Sequence, residues 1–223
     1  MELVNSLAKL GESEIRELEE TLSEKFGYLH FPDDYREFLQ KNNGGFVVPG
    51  HIQGTDHDLH KEEVVFKTPL KDGEKDWSPG LYAFFGHLVS DESSESENGR
   101  QFPKLVRAND RLNNDFDVLP KGMMAIALCS HPTAGDLLCI SLHEKDYGAV
   151  YFYFSQWFNP AFGSGDYYES KTNKILDEYN LNSVQEETEN EEVQFAVDRI
   201  PFIKLADSFS AFLSSLTVAE VSY

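Results

Sequence analysis

Cys129, Ser130 and His131 are the residues whose types and order come nearest to a catalytic group, a thiol nucleophile with a base beside it. A local Cys–His pair is weak evidence for catalysis, because the fold rather than sequence adjacency assembles the nucleophile and base of thiol enzymes. Cys139 lies inside a predicted strand and is typical of a small core residue. We therefore predict no catalytic residue and a protein that is not an enzyme. The opposing hypothesis, a small enzyme of unknown class, requires an activity that is lost when these cysteines or His131 are substituted.

A second group of residues has side chains that bind metal ions. His51, His57 and His60 lie with Asp56 and Asp58 in one polar stretch. Imidazole and carboxylate groups are common ligands of zinc and other transition metals. No recognised ligand spacing connects these residues, and a solvated loop is the simpler interpretation. We predict no bound metal and no other cofactor.

Two further motifs are explained without a catalytic or ligand-binding role. Gly163–Asp166 is rich in glycine, but it lacks the lysine and the strand–helix context of a phosphate-binding loop. Asp33 and Asp34 are adjacent carboxylates that an acid–base mechanism could use. They follow Pro32 at the predicted start of a helix, where the helix dipole favours negative charge. No carboxylate across a cleft can be assigned as their partner.

The net charge is the strongest compositional signal. The 223 residues include 39 acidic and 19 basic side chains, which gives a net charge of −20. Such a chain repels phosphate groups, and we therefore expect no nucleic-acid partner. It attracts a basic protein and speeds the encounter with it. Solubility alone is the alternative explanation of the charge.

Two acidic stretches and one aromatic stretch are the candidate regions for a protein partner. Charge runs are often only solvated loops, and this explanation stands beside the functional one. The aromatic stretch, which continues to Phe162, Tyr167 and Tyr168, supplies either cover for the sheet or anchors for an interface. The predicted partner-binding residues are Asp91, Glu92, Glu95, Glu97, Trp157, Phe158, Glu186, Glu187, Glu189, Glu191 and Glu192.

The candidate binding stretches lie before and after a predicted β-hairpin in the sequence. Gly135–Leu142 and Ala149–Phe154 alternate with the period of two that is typical of strands, and Asp146 and Gly148 suit the link between them. One face of the hairpin is aliphatic and aromatic. The other mixes Cys, Ser and Tyr, which predicts a partly hydrated face. We expect this hairpin at the centre of an antiparallel sheet.

Helical periodicity predicts two helices before the sheet. Glu12–Phe26 has one apolar face, with Ser13 as its N-cap and Gly27 at its end. A second helix begins at Pro32, because proline suits the first turn, and ends at Asn42–Gly45.

The remaining elements are shorter. The predicted strands are Phe46–Val48, Val64–Phe66, Leu81–Phe85 and Met124–Leu128, with a short helix or turn over Arg107–Asn114. A closing helix begins near Ala206 and ends at Thr217, with Phe209, Phe212, Leu213 and Leu216 on one face.

Between the hairpin and the closing helix the chain changes character. No Lys or Arg occurs from Ile175 to Asp198. We predict a poorly packed acidic insertion at about 158–198, with a helical piece near Asn173–Tyr179. The pattern as a whole predicts one α+β domain over residues 1–223, with a central antiparallel sheet, N-terminal helices and a C-terminal helix.

Composition also bears on location. No run of about 20 apolar residues is present, so no membrane span is expected. The first residues lack the order of a secretory signal. The two cysteines form no disulfide framework, and a reduced, cytoplasmic protein is the expectation.

Three groups of segments occur in an order that is similar to a known family. They are Phe31–Leu39 with Asn43–Gly45, then Gly135–Ile140 with Tyr147–Phe152, and then Ala206–Leu213. This order resembles the SUKH superfamily, in particular its Smi-one/Knr-four branch. The resemblance extends from about Ser13 to Leu216, and the long segment Trp157–Asp198 departs from it.

The resemblance implies a fold and a class of function. The fold is an α+β domain with an antiparallel sheet and helices at both ends. The function is that of an immunity protein, a module that binds a cognate polymorphic toxin, often a nuclease, and blocks it. The alternative is a regulatory scaffold of the kind that controls cell-wall synthesis by binding signalling proteins.

Overall fold

The fold is described from a computed structural model of the chain. It covers residues 1–4, 7–28, 30–48, 62–68, 78–87, 104–115, 118–129, 136–153, 155, 164–179 and 190–220. Its strands are β1 (Glu2–Val4), β2 (Gly45–Val48), β3 (Glu62–Val65), β4 (Leu81–Phe84), β5 (Met123–Cys129), β6 (Leu137–Ser141), β7 (Val150–Tyr153), β8 (Phe202–Ala206) and β9 (Thr217–Glu220).

Seven of these strands form one antiparallel sheet. Their order across the sheet is β1-β2-β4-β5-β6-β7-β8, and β3 pairs with β9 in a separate two-stranded sheet. The predicted strands in β2, β3, β4 and β5 are confirmed. The sequence pattern missed β1, β8 and β9, because each is short and only its pairing with a partner strand reveals it.

The predicted hairpin is confirmed as β6 and β7, with Leu138 opposite Phe152 and Ile140 opposite Val150. It lies beside the centre of the sheet, which is occupied by β5. The prediction of a partly hydrated face is wrong, since every residue of both strands is buried. Two side chains of that face, Ser141 and Tyr151, bond to the buried carboxylate of Asp146.

The helices are α1 (Glu12–Phe26), α2 (Asp33–Asn42), α3 (Leu105–Asp110), α4 (Ser164–Glu178), α5 (Glu191–Asp198) and α6 (Phe209–Ser215), and a π-helical turn, Arg111–Asp115, continues α3. The predicted α+β class, with helices near both ends of the chain, is confirmed. Among the described helices, none is both long enough and apolar enough to cross a membrane.

Helix ends follow from local chemistry. Gly11 rather than the predicted Ser13 is the N-cap of α1, and its N–H donates to the Glu14 carboxylate. Gly27 ends α1 with φ +66°, as predicted. Gly44, just beyond α2, has φ +77°, and a Cβ there would lie 2.7 Å from the backbone nitrogen of Gly86. Only glycine fits this close approach of two backbones.

Helix α3 is attached to the sheet by one buried amide. The side chain of Asn109 donates to the carbonyl of Ala125 at 2.9 Å and accepts from its N–H at 2.9 Å. The pairing of β5 with β6 shifts register just after Ala125. Asn109 therefore satisfies backbone groups that would otherwise be buried without a partner.

An aromatic cluster joins α2 and α6 to the sheet. The ring of Tyr35 lies 5.1 Å from that of Phe209, and Phe38 lies 5.0 Å from Phe209 and 4.7 Å from Phe84. Tyr35, Phe84 and Phe209 are fully buried. Edge-to-face contacts of this kind add stability to the burial of the rings. The hydroxyl of Tyr35 is buried and has no hydrogen-bond partner among the described residues.

We predict that Tyr35→Phe leaves the free energy of unfolding unchanged or raises it by up to about 1 kcal/mol, because it removes a buried unpaired hydroxyl and keeps the ring. Tyr28→Phe is the matched control. The Tyr28 hydroxyl donates to the carbonyl of Met123 at 2.7 Å and accepts from Asn113 at 3.1 Å. Its loss should cost about 1 kcal/mol. Urea unfolding of both variants measures the difference, and a clear loss of stability in Tyr35→Phe would contradict this account.

Candidate partner-binding surface

Two of the predicted partner-binding residues fall in the described part of the chain. Glu191 and Glu192 form the first turn of α5 and are exposed. The other predicted residues lie outside the described residues: Asp91, Glu92, Glu95, Glu97, Trp157, Phe158, Glu186, Glu187 and Glu189. The histidines and aspartates of the predicted polar stretch, His51 to His60, also lie outside them.

The start of α5 is defined by its cap. The Asn190 side chain accepts hydrogen bonds from the N–H groups of Glu192, at 3.0 Å, and Val193, at 3.4 Å. The two glutamates then meet the positive end of the helix dipole. Local sequence thus explains why the helix begins here and why its first turn carries two exposed carboxylates.

The opposite side of α5 is apolar. Val193 and Val197 are buried against Leu176 of α4, with Ile175 and Ile200 beside them. Part of the predicted insertion is therefore an ordered helix pair. The predicted helical piece near Asn173–Tyr179 is the end of a longer helix.

An open groove of about 310 Å³ separates α5 from the link of the hairpin. Lys121, His143, Glu144 and Lys145 line it on the side of the sheet. On the side of α5 it is lined by Glu191, Gln194, Phe195, Asp198 and Arg199. Both walls thus carry charged groups.

A buried ion pair lies at the base of this groove. Arg199 Nε donates to Asp146 Oδ2 at 3.0 Å, and Arg199 Nη2 contacts Asp146 Oδ1 at 3.3 Å and Ser141 Oγ at 3.2 Å. The side chains are 10% and 7% exposed. The hydroxyls of Ser141 and Tyr151 also donate to Asp146. Burial by itself would raise the pKa of Asp146, but the hydrogen bonds from Arg199, Ser141 and Tyr151 hold that pKa below its usual value.

Phe195 contacts Arg199 of the ion pair and also residues on the opposite wall of the groove. The guanidinium carbon of Arg199 lies 4.6 Å from the centre of the Phe195 ring, and Lys145 Nζ lies 5.4 Å from it. The His143 ring is 4.9 Å away. The ring is half-buried. It therefore makes cation–π contacts with both walls of the groove.

A further acidic stripe lies on α1. Glu17, Glu20 and Glu24 are exposed and form no ion pair with a described residue. Their spacing of three and four places them on one side of the helix. The same spacing is present in the sequence.

The family model of SMI1/KNR4 (SUKH-1) matches residues 9–215, nearly the whole chain.

The chain belongs to the SMI1/KNR4 family (SUKH-1).

Neither a comparison with curated proteins nor one with solved structures finds a match. The match to SUKH-1 confirms the family predicted from the three groups of segments.

Contacts in the structure explain why the SUKH-1 segments occur together. The Tyr147 hydroxyl donates to the carbonyl of His30 at 2.6 Å, which ties the hairpin link to the start of α2. Asp34 accepts from the N–H of Ser210 at 2.7 Å and so joins α2 to α6. The buried Asn43 side chain bonds to the backbone of Ala8 and His87.

The two cysteines considered for catalysis lie where their thiols are not activated. Cys139 is fully buried in β6, and burial raises the pKa of both its thiol and that of Cys129. Such thiols are poor nucleophiles, because the thiolate is the reactive form. Ser130 and His131 lie outside the described residues. Among the described residues, no group of His, Cys, Asp and Glu side chains is arranged to hold a metal.

We predict that Asp146→Asn lowers the free energy of unfolding at pH 7 by about 3 kcal/mol, because it leaves Arg199 buried without its counter-charge. Since the pKa of Asp146 is lowered in the folded state, its stabilisation is present above the usual aspartate pKa of about 3.9 and is lost as the pH falls through the lower value. The difference from wild type should therefore shrink toward pH 3.

The control for this prediction is Asp207→Asn. Asp207 pairs with Lys204 at 2.7 Å, but its side chain is 91% exposed. Loss of this surface pair should leave stability almost unchanged. Urea unfolding of the three proteins at pH 7 and pH 3 compares them. Equal effects of the two substitutions would show that the buried ion pair contributes little.

Proposed function

We propose that this SUKH-1 chain is a non-enzymatic protein-binding module that binds a cognate polymorphic toxin, such as a nuclease, and neutralises it by blocking its basic active cleft. SUKH-1 is a family of immunity-protein-like modules, and this membership supports the proposal. A nuclease holds phosphate groups in a basic cleft, and an acidic protein can occupy the same cleft.

The observation that carries the proposal is the distribution of acidic side chains. The chain has a net charge of −20. Glu191 and Glu192 stand exposed at the start of α5, and neither forms an ion pair with a described residue. Carboxylates in this position keep their field available to a basic partner. Seven of the predicted binding residues that lie outside the described residues are also acidic: Asp91, Glu92, Glu95, Glu97, Glu186, Glu187 and Glu189.

The thiols give no support to an enzymatic alternative, since burial raises the pKa of Cys129 and Cys139. A second non-enzymatic function is a regulatory scaffold that binds signalling proteins, and it is compatible with the same family. A neighbouring gene that encodes a large secreted toxin favours the immunity function. Its absence favours the scaffold.

The test is co-expression of this chain with the product of the adjacent gene. We expect a complex that co-purifies at low salt, loosens as salt rises and restores growth that the neighbour alone prevents. No complex and no rescue would contradict the immunity function. An unbiased pull-down would then test the scaffold.

We predict that neutralising the acidic side chains at the start of α5 and just before it slows association with that partner. The variant is Glu189→Gln, Glu191→Gln and Glu192→Gln, and its association rate at low salt should fall on the order of tenfold, with a weaker salt dependence. Stopped-flow or surface-binding kinetics measure the rate.

The matched control carries Glu17→Gln, Glu20→Gln and Glu24→Gln on α1. It changes the net charge by the same amount at a different place, and its association rate should fall less. Equal slowing by the two variants would indicate that overall charge, and not this patch, steers the encounter. An unchanged rate in both would contradict the electrostatic mechanism.

A further inference from the structure

Helices α4 and α5 form an arm with an apolar cluster of its own. Leu176, Val193 and Val197 are buried against each other. No described residue of these two helices belongs to the large cluster that contains the sheet, α1, α2 and α6. The three buried aliphatic side chains that the structure describes in this cluster do not by themselves offset the conformational entropy of ordering two helices. The arm, Ser164–Glu178 with Glu191–Asp198, therefore needs contacts with the rest of the domain.

Arg199 makes a buried, charged contact of this kind. It follows α5 directly and is the C-cap residue of that helix. Its guanidinium bonds to Asp146 and Ser141 and lies against the ring of Phe195. Asp146 belongs to the hairpin link, which the strands β6 and β7 hold in place. The end of the arm is thus joined to a rigid part of the sheet.

Charges across the groove favour the same position of the arm. Lys121 and Lys145 line the groove on the side of the sheet together with Glu144, and Asp198 lines it on the side of α5. Opposite charges on the two walls attract each other, and Lys145 also contacts Phe195. In a chain of net charge −20, these two lysines give the sheet side of the groove a local attraction for an acidic helix.

We infer that Arg199 is a positioning residue for partner binding: its ion pair with Asp146 holds the arm docked on the hairpin, so that α5 presents Glu191, Glu192 and the exposed part of Phe195 to a basic protein as a preformed surface. This inference rests on the proposed function. It gives the late insertion a role in affinity, since a preformed surface loses less entropy on binding than a mobile one.

A variant without the ion pair should lose both docking of the arm and affinity for the partner, in proportion to each other. In Arg199→Met the arm should detach in a fraction of the molecules while the sheet stays folded. If only docked molecules bind, the apparent Kd rises by the reciprocal of the docked fraction. A variant in which about a tenth of the molecules remain docked should bind about tenfold more weakly.

The experiment compares four full-length proteins: wild type, Arg199→Met, Arg199→Lys and Lys41→Met. Arg199→Lys keeps the charge but loses the planar fork that contacts two oxygens, and it should be intermediate. Lys41→Met removes one positive charge from an exposed pair with Glu37 on α2 and should resemble wild type. Amide hydrogen exchange is followed separately for α5 and for β5 to β7.

We expect the α5 amides of Arg199→Met to exchange at least tenfold faster than those of wild type, with a much smaller loss of protection in the strands. The binding probe is the co-expressed product of the adjacent gene, titrated at low and high salt. Its Kd should rise with the undocked fraction across the four proteins, with Arg199→Lys recovering part of the affinity.

Three results would overturn the inference. Unchanged exchange of α5 in Arg199→Met would show that the ion pair does not hold the arm. Equal loss of protection in α5 and the strands would show a merely structural role. Wild-type affinity with a detached arm would show that the arm does not position the interface, while the proposed function stands. If wild type itself binds nothing, the proposed function fails, and this inference fails with it.

Discussion

The packing of aromatic rings between α2, α6 and the sheet is the interaction on which the rest of this structure depends. Tyr35, Phe38, Phe84 and Phe209 come from the beginning, middle and end of the chain, and each ring lies within about 6 Å of at least two of the others. Large aromatic side chains dominate the apolar area of a core. Their contact brings the two ends of the chain to one face of the sheet, where Asp34 then bonds to the start of α6.

Buried charge is the second constraint, because the chain is so acidic. Glu19 lies on the apolar face of α1 and is 2% exposed, and Arg36 of α2 contacts its carboxylate at 2.7 Å. The N–H of Phe31 also donates to it at 2.8 Å. Asp146 has the equivalent arrangement with Arg199. Each of these buried carboxylates meets an arginine and further donors, which compensates for the loss of hydration. Much of the remaining acidic charge stays on the surface.

The two arginine–carboxylate pairs differ in what they join. The Arg36–Glu19 pair connects two helices that already share the main core. The Arg199–Asp146 pair connects the sheet to a helix pair whose apolar cluster is separate. The first adds to an extensive packed interface, whereas the second stands where hydrophobic contact is sparse.

Elements that are encoded by neighbouring residues can be predicted from the sequence alone. The alternation in the hairpin, the helical spacing of α1 and α2, and the order of the SUKH-1 segments predicted the class of fold and the family, since period and cap residues act over short distances. Which polar residues are buried depends on contacts between distant parts of the chain. Glu19 has the spacing of the apolar face of its helix, and Asp146 lies in a hairpin link. Their burial follows from pairing with Arg36 and Arg199, which are distant in the sequence. The strands β1, β8 and β9, the separate cluster of α4 and α5, and the position of the arm likewise depend on partners far away in the sequence, which no local pattern can specify.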